Sequence, residues 1–393
     1  MTAIEGATFR ANPGYELVLL DHLAPSEREV LGEAGPDSDL YGVLRPRHGS
    51  ELEARSVSSE TALLFLTLTT PGPLPSYVVA RLGADVQRTI GRLVLDGVLE
   101  IAREDEYVHG VPAAALVGVG RSEGGRGRIG ELSVAALRYG QELIGLPESL
   151  LALRLYFYGR RPVSAALKHA LFDEARVADY LGLGSGGSAS AALADGWREM
   201  PPAAPGPSYW RQWQAADTPQ KGTEPAGVSY KLYVSPAIDA LETVLATVGS
   251  SLIASRGVIA FKVGADAHGI CRPDKLVVYF DRLDDLQAGA EMLRQRLDGC
   301  PAHGVPFTAA VTPDGLLSWG ADPPVRRSTN GTGTSWRMWV TEQLAGYITV
   351  ARNTGSSELE PWQFALERLR LSGIDTDTWI PASGMWPEAL ASE

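Results

Sequence analysis

Cysteine is nearly absent from this 393-residue chain, which carries only Cys271 and Cys300. Two cysteines exclude a disulfide framework and are typical of a protein kept in a reducing cytoplasm. The first twenty residues also lack a basic start followed by a long apolar run, so we expect no signal peptide. The sequence therefore predicts a cytoplasmic protein.

Long apolar runs and an excess of basic residues are missing as well. No stretch reaches the roughly 20 apolar residues that a membrane-spanning helix needs, so we expect no contact with a membrane. The formal net charge of -12 argues against a general nucleic-acid binder, which usually shows a basic field. Any anion site in such a chain has to be local, made by a few converging cations.

Composition divides the chain into two parts. Hydrophobic content is 45 % and charged content 21 %, which suits a globular protein with a full core, and the length favours two domains. Residues 184–190 are rich in Gly and Ser, and residues 201–207 are rich in Pro. We interpret 181–226 as a linker or packed loop that separates an amino-terminal domain, 1–180, from a carboxy-terminal domain, 227–393.

The amino-terminal domain carries helical periodicity between residues 61 and 110. Apolar residues recur at helical spacing up to Leu95, Gly97 ends the last helix, and a short hairpin follows. Three short helices and a hairpin predict a winged-helix-like domain, and the outline resembles the leader-recognition domains of ribosomal-peptide-modifying enzymes. A plain helical packing module is the alternative.

The carboxy-terminal domain alternates strands and helices. Strands are predicted at 229–234, 257–264 and 274–280, each with a period-two pattern. Ser235 and Pro236 favour the start of a helix after the first strand. Together the two domains predict an α+β fold in which the carboxy-terminal domain has a mixed sheet.

Two lysines stand on these apolar strands. In "YKLYVSP" the alternation places Lys231 and Tyr233 on one face of the strand. In "IAFKVG" Lys262 shares its face with Ala260 and Gly264, whose small side chains leave room for a ligand. A lysine on an edge strand often serves only to prevent aggregation, and that explanation is sufficient for either residue alone.

More cations follow these strands. Arg272 and Lys275 precede the third strand, and Arg337 follows a Gly/Thr-rich loop. As a group they predict an anion pocket, because lysine offers a compact charge and arginine binds phosphate through two parallel hydrogen bonds. Clustered cations and burial both lower the pKa of a lysine, which prepares it to act as a base.

The segments "YKLYVSP", "FKVG", "RPDKLVVYF" and "GVPFTAAVTPDGLLSWGADPP" resemble the HopA-type effector family, over about residues 228–345. Proteins of that family occur in biosynthetic clusters of class V lanthipeptides and of thioamide-containing peptides. The layout is also similar to phosphothreonine lyases of bacterial effectors and to the lyase domains of class III lanthipeptide synthetases. The carboxy-terminal domain is thus expected to resemble phosphothreonine lyases.

The resemblance implies a metal-independent lyase that needs no cofactor. It removes the Cα proton of phosphoserine or phosphothreonine in a ribosomally made precursor peptide and expels phosphate, leaving dehydroalanine or dehydrobutyrine. Carried over by position, Lys262 is the general base and Lys231 stabilises charge on the substrate. Arg272 holds phosphate, Arg337 matches a downstream phosphate-binding arginine, and Lys275 assists.

Tyr233 departs from the wider lyases, which place a histidine there as general acid. Tyrosine can donate a proton, but its ordinary pKa near ~10 makes it a weaker acid. Three readings follow for the leaving group: Tyr233 supplies the proton, another group such as His268 does, or phosphate leaves with little proton assistance.

The sequence lacks a P-loop, the kinase motif set and the zinc signature of a lanthionine cyclase. We therefore expect a separate Ser/Thr peptide kinase and a separate cyclase as partners in a complex, with residues 1–180 binding the leader or a partner. The main alternative is a non-catalytic phosphopeptide-binding scaffold subunit of a peptide-modifying complex. A DNA-binding regulator is the third hypothesis, and the acidic charge balance counts against it.

Overall fold

A computed structural model describes most of the chain, namely residues 4, 6–25, 39–50, 52, 54–118, 125–201, 209–216, 229–253, 255, 257–323, 334–353, 359–382 and 385. Within these residues, every helix is too short or too polar to span a bilayer.

The described residues up to 118 form two antiparallel three-stranded sheets, in the orders β1-β5-β6 and β2-β3-β4, and three helices. The elements are β1 (Phe9–Ala11), β2 (Tyr15–Leu19), β3 (Leu40–Pro46), β4 (Arg55–Ser58), α1 (Ser59–Thr67), α2 (Ser76–Leu82), α3 (Val86–Leu95), β5 (Leu99–Arg103) and β6 (Glu106–Val108). Ser58 caps α1, since its Oγ accepts a hydrogen bond from the Thr61 amide at 3.3 Å. The predicted order of three helices and a hairpin is present.

The middle of the chain contributes helices and two strands. They are α4 (Gly127–Glu142), α5 (Glu148–Tyr156), α6 (Ala165–Ala170), α7 (Glu174–Tyr180), α8 (Ser188–Leu193), β7 (Trp197–Met200) and β8 (Trp210–Ala215). The last three elements lie within the predicted linker, 181–226. That interpretation is wrong for them, because α8 is a helix and β8 pairs with β7 and with the strand that carries Lys262.

The remainder completes a seven-stranded sheet in the order β12-β13-β9-β11-β10-β8-β7. Its elements and those that follow it are β9 (Tyr230–Val234), α9 (Leu241–Leu252), β10 (Val258–Gly264), α10 (Ala267–Ile270), β11 (Leu276–Phe280), α11 (Leu283–Arg296), β12 (Ala309–Ala310), β13 (Leu317–Ala321), α12 (Trp336–Asn353), α13 (Pro361–Leu371), β14 (Ile374–Asp375) and β15 (Ile380–Pro381).

The α+β class is confirmed, and the predicted mixed sheet is corrected in one respect. Every pairing in the seven-stranded sheet is antiparallel in the described part of the chain. The strands β9 and β10 do run in the same direction, but β11 lies between them and runs against both. Helix α9 starts later than predicted, because the Ser235 hydroxyl donates to the Pro273 carbonyl at 2.6 Å instead of capping a helix.

The chain divides into two compact units that differ from the predicted boundaries. The described residues within 1–123 and 343–374 form the first unit, and those within 124–324, 334–342 and 375–393 form the second. The core of the first unit draws on both of its stretches, since Phe9, Ile90 and Phe364 belong to one buried cluster. Arg368 joins the stretches a second time, through hydrogen bonds of 2.7 and 2.6 Å to the Asp96 carboxylate.

Candidate functional site

Lys231 and Lys262 lie on the same face of the seven-stranded sheet, on the two strands that flank β11. Lys231 pairs with Tyr279, whereas Lys262 pairs with Val277, which in turn pairs with Tyr233. Directly paired residues share a face in an antiparallel sheet. The Tyr279 ring lies between the two lysines, with its centroid 5.4 Å from the Lys231 Nζ and 5.6 Å from the Lys262 Nζ.

The opposite face of these strands is the core, as the sequence alternation predicted. Phe261 pairs with Val278 on one side and with Trp213 on the other, and Val278 also pairs with Leu232. All four side chains are buried. The Phe261 and Trp213 rings are stacked, with centroids 5.1 Å apart. This packing fixes the register, and the register brings the two lysines together.

Gly264 ends β10 at a point where the backbone approaches α10. A Cβ at this position would lie 2.4 Å from the Gly269 carbonyl carbon and 2.6 Å from the Ile270 amide nitrogen. Glycine is therefore required here. Asp266 caps α10, since its Oδ1 accepts from the Gly269 amide at 2.5 Å. The close approach places Arg272, just beyond α10, beside the end of the lysine-bearing strand.

The Lys262 ammonium lies 4.3 Å from the centroid of the Trp210 ring, on β8. Among the described residues, no carboxylate pairs with it and no hydrogen bond engages its Nζ. Burial, together with the charge of Lys231, lowers the pKa of Lys262 to about 8. An amine with this pKa is partly neutral near pH 7, which is the protonation state that a general base needs.

The Lys231 ammonium has a partner, because its Nζ lies 2.5 Å from the Asp322 Oδ2. The other oxygen of Asp322 accepts from the Trp336 amide at 2.8 Å, at the start of α12. Gly320 pairs with Lys231, and a Cβ on it would lie 2.4 Å from the Trp336 ring. The close packing of β13 against α12 thus positions the carboxylate that holds Lys231.

Asp274 lies at the centre of a buried network of two arginines and a tyrosine. Its Oδ1 accepts from the Arg272 Nε at 2.8 Å and its Oδ2 from the Arg272 Nη2 at 2.9 Å. The Tyr156 hydroxyl donates to Asp274 at 3.3 Å and accepts from Arg272 at 2.9 Å. The Arg337 Nη1 lies 2.8 Å from the Asp274 Oδ2, an ion pair without hydrogen-bond alignment.

The network controls the protonation of Asp274. Burial alone would raise the pKa of its carboxyl, but the charge of Arg337 and the hydrogen bonds of Arg272 hold the pKa well below its usual range. Asp274 is therefore a fixed negative charge, which orients both guanidinium groups.

The Arg272 guanidinium is walled by aromatic rings. Its Cζ lies 4.9 Å from the Trp210 centroid, 5.2 Å from that of Phe157 and 5.4 Å from that of Tyr156. Its Nη1 makes no hydrogen bond to any described residue. Trp210 contacts both Arg272 and Lys262, so one ring borders the two cations that remain open to a ligand. We refer to Lys231, Lys262 and Arg272 as the cation cluster.

Two of the predicted phosphate ligands lie in closed surroundings. The Arg337 side chain is 1 % exposed and donates to the Pro306 carbonyl at 3.2 Å and to the Tyr156 carbonyl at 2.7 Å. The Lys275 Nζ donates to the Pro236 carbonyl at 2.8 Å and lies 3.0 Å from the His303 Nδ1. The hydrogen-bonding groups of both side chains are thus directed at protein partners.

Lys275 and His303 form a buried pair that sequence reasoning did not find. The His303 Nε2 lies 2.7 Å from the Gly159 carbonyl, so it carries the proton and its Nδ1 accepts from Lys275. Burial lowers the pKa of Lys275 to about 7. Burial and the charge of Lys275 lower the pKa of His303 to about 4, so the imidazole is neutral.

The tyrosines on the lysine face differ in exposure. Tyr233 is 3 % exposed and packs with Val277 and Val305. Burial raises its pKa well above the ordinary value, and the charge of Asp322 adds to this effect. Tyr279 is half-buried by exposure, and burial raises its pKa as well, with the charge of Asp322 adding to the effect. His268, the other acid considered, is exposed on α10.

Sequence reasoning missed Trp210, Tyr156, Asp274 and Asp322. Trp210 lies in the tryptophan-bearing run assigned to the linker, and the aromatic residues of this run are a weak signal for a strand. Asp274 is adjacent to Arg272 and Lys275, and a carboxylate among cations is a signal for an ion pair. Tyr156 and Asp322 reach the site only through tertiary packing.

Comparison with known proteins gives weak similarities. No family model and no curated protein matches the chain. The effector protein from Pseudomonas syringae pv. tomato strain DC3000 is 12 % identical, with a TM-score of 0.42 over 64 % of this chain and 97 % of that chain. The effector protein from Pseudomonas syringae pv. syringae strain 61 is 14 % identical, with a TM-score of 0.39 over 65 % of this chain and 100 % of that chain. At these values the likeness assigns no function.

Proposed function

We propose that the chain is a metal-independent lyase acting on phosphoserine or phosphothreonine of a ribosomally made peptide. The base takes the Cα proton, and the electron pair of that C–H bond forms the Cα–Cβ double bond. The Cβ–O bond breaks, its electron pair leaves with phosphate, and the phosphate oxygen takes up a proton. The products are dehydroalanine or dehydrobutyrine and inorganic phosphate.

One observation carries this proposal: the Lys262 amine lies beside other cations, and no carboxylate of the described residues forms an ion pair with it. With a pKa of about 8, a fraction of the molecules has neutral Lys262 at neutral pH. Lys231 and Arg272 supply positive charge on the same side, where negative charge develops on the substrate and on the leaving phosphate. Their ion pairs with Asp322 and Asp274 hold them in place.

Arg337 and Lys275, the other predicted phosphate ligands, have structural roles in this proposal. Arg337 orients Asp274 and thereby Arg272, and Lys275 holds the turn that precedes β11. The resemblance gives Tyr233 the part of general acid. Tyr279 is better located to meet the leaving group, because it is less buried and its ring lies between the two lysines.

The decisive experiment incubates the full chain with a synthetic phosphoserine peptide and follows the mass. Elimination removes phosphoric acid and leaves a peptide that adds a thiol. We expect this product with the wild type and not with Lys262→Met. Lys168→Met, which changes an exposed lysine on α6, is the matched control and retains activity. An intact phosphopeptide with wild-type protein would contradict the proposal.

A scaffold subunit that binds phosphopeptides without reacting is the second candidate. The burial and raised pKa of Tyr233 favour it, because the position expected to hold an acid holds a poor one. The same peptide with a fluorescent label separates the two: stable binding without loss of phosphate supports the scaffold.

The proposed reaction implies partner proteins and a cellular compartment. A separate kinase supplies the phosphorylated precursor and a separate cyclase consumes the dehydrated product, in the cytoplasm and within a complex. The amino-terminal winged-helix-like domain binds the leader peptide or a partner in this scheme. Co-purification of the full chain with a candidate kinase tests the complex.

A further inference from the structure

Helix α5 exposes apolar side chains on one face. Leu151, Ala152 and Leu155 are buried. Leu150 and Leu153, by contrast, are 48 % and 38 % exposed, and Phe157, directly after the helix, is 36 % exposed. Positions spaced by three and four residues share one face of a helix, so these three form a continuous strip, here named the α5 stripe.

The α5 stripe ends at the cation cluster. The Phe157 ring centroid lies 5.2 Å from the Arg272 Cζ. Phe157 also packs edge-to-face on Tyr156, with centroids 5.2 Å apart, and the Tyr156 hydroxyl hydrogen-bonds Arg272. One aromatic side chain is therefore both the last member of the apolar strip and a wall of the proposed phosphate site.

The dimensions of the stripe match a short peptide segment. A helix rises about 1.5 Å per residue, so the stripe from Leu150 to Phe157 extends over roughly 10 Å. An extended peptide advances about 3.3 Å per residue and covers that length with about three residues. A peptide whose phosphoryl group contacts Arg272 can therefore place its next few side chains along the stripe.

We propose that the α5 stripe binds the substrate segment next to the phosphorylated residue and selects apolar side chains within about three positions of it. This inference rests on the proposed function, because the phosphoryl group anchors the occupant. A second copy of the chain is the weaker occupant. Three partly exposed side chains supply far less than the roughly 800 Å² that each partner of a stable dimer buries.

Two matched phosphoserine peptides test the inference. One carries leucine at two of the three positions on each side of the phosphoserine, and the other carries serine there. Dissociation constants come from anisotropy of a fluorescent label, and KM and kcat from phosphate release. With the wild type we expect about tenfold tighter binding and about tenfold lower KM for the leucine peptide, with kcat nearly equal.

The variant Leu153→Asp should reduce that preference to less than threefold, and Leu150→Asp provides a second test. Both changes are on exposed positions, so thermal unfolding should match the wild type. The matched control is Leu66→Asp on α1, which alters a leucine as exposed as Leu150, at 48 %, and should keep the preference.

The outcomes separate this inference from the proposed function. A binding preference that depends on the stripe supports the inference even if no phosphate is released, while absent release alone overturns the lyase. An unchanged preference in Leu153→Asp overturns the inference. So does a Leu153→Asp variant that changes only the oligomeric state in light scattering, which would identify the stripe as a contact between copies.

Discussion

At the scale of single residues, the position of Lys262 differs from that of Lys231 in one respect. Lys231 has a carboxylate partner in Asp322, whereas no described carboxylate pairs with Lys262. Both ammonium groups border the Tyr279 ring, and the positive charge of Lys231 disfavours the proton on Lys262. This asymmetry assigns the two lysines to different tasks within the proposed reaction.

The first prediction concerns pH. The base has to be neutral, so kcat/KM should rise with pH through about 8 and then level off, with about a tenth of the molecules competent at pH 7. Lys231→Met removes a charge that lowers the pKa of Lys262, so the rising limb should move to higher pH. A pH profile of phosphate release measures the midpoint, and Lys168→Met should leave it in place. An unchanged midpoint of the rising limb in Lys231→Met would contradict the assignment of Lys262 as the base.

The second prediction compares two tyrosines that differ in burial. Tyr279→Phe should lower kcat at least tenfold, because it removes the hydroxyl of the ring whose centroid lies 5.4 and 5.6 Å from the two lysine Nζ atoms. Tyr233→Phe should change kcat less than threefold, because the Tyr233 side chain is 3 % exposed and packs with Val277 and Val305. Each change deletes one oxygen and keeps the ring. The reverse ranking of kcat values would return the acid role to Tyr233.

At the scale of elements, three parts of the fold converge on the Asp274 carboxylate. Helix α5 brings Tyr156, the turn after α10 brings Arg272, and α12 brings Arg337. The carboxylate neutralises the buried Arg337 guanidinium and the half-buried Arg272 guanidinium, which would otherwise repel each other. The position of Arg272 therefore depends on the contacts among these three elements as well as on the sheet.

The third prediction tests that junction. Asp274→Asn leaves the buried Arg337 charge unpaired and should lower the free energy of unfolding by about 3 kcal/mol at pH 7. The folded-state pKa of Asp274 is depressed, so its contribution is present above about 4 and is lost as the pH falls toward that folded value. Urea unfolding at pH 7 and at pH 3 should show the difference shrinking. The exposed Asp284→Asn serves as control and should cost less than about 0.5 kcal/mol.

The local sequence pattern was sufficient to predict the strands that carry Lys231 and Lys262, but it did not predict the neighbouring strand β8. The alternation in β9 and β10 predicted which residues share the face with Lys231 and Lys262, because one face had to be buried. Nothing local marks β8 as the strand beside β10, because its pairing partner lies some fifty residues on and the flanking sequence is rich in Pro and Gly. The sequence identified Arg337 as a candidate cation, but its contact with Asp274 depends on tertiary packing that the sequence pattern does not show.

At the scale of the whole molecule, a strongly acidic chain gathers a few cations at one place. The net charge is -12, and the cation cluster is walled by aromatic rings and carboxylates instead of lying on an open basic surface. Attraction for an anion is therefore short-ranged, limited to a group small enough to reach Lys262 and Arg272.

The fourth prediction follows from this charge distribution. The full chain should bind a phosphoserine peptide and should not retard labelled double-stranded DNA at about 150 mM salt, because a duplex meets an overall negative field. Gel retardation and peptide anisotropy on the same preparation measure both. Retardation that disappears steeply with added salt would revive the DNA-binding hypothesis.

The first unit is assembled from two stretches that lie more than two hundred residues apart in the sequence. The residues of the candidate site lie between these stretches along the chain. Recombination therefore cannot exchange this unit with a single crossover. A chimera joined after residue 118 would combine Asp96 with a foreign counterpart of Arg368, and Ile90 with a foreign counterpart of Phe364. The two stretches of this unit should accordingly be inherited together.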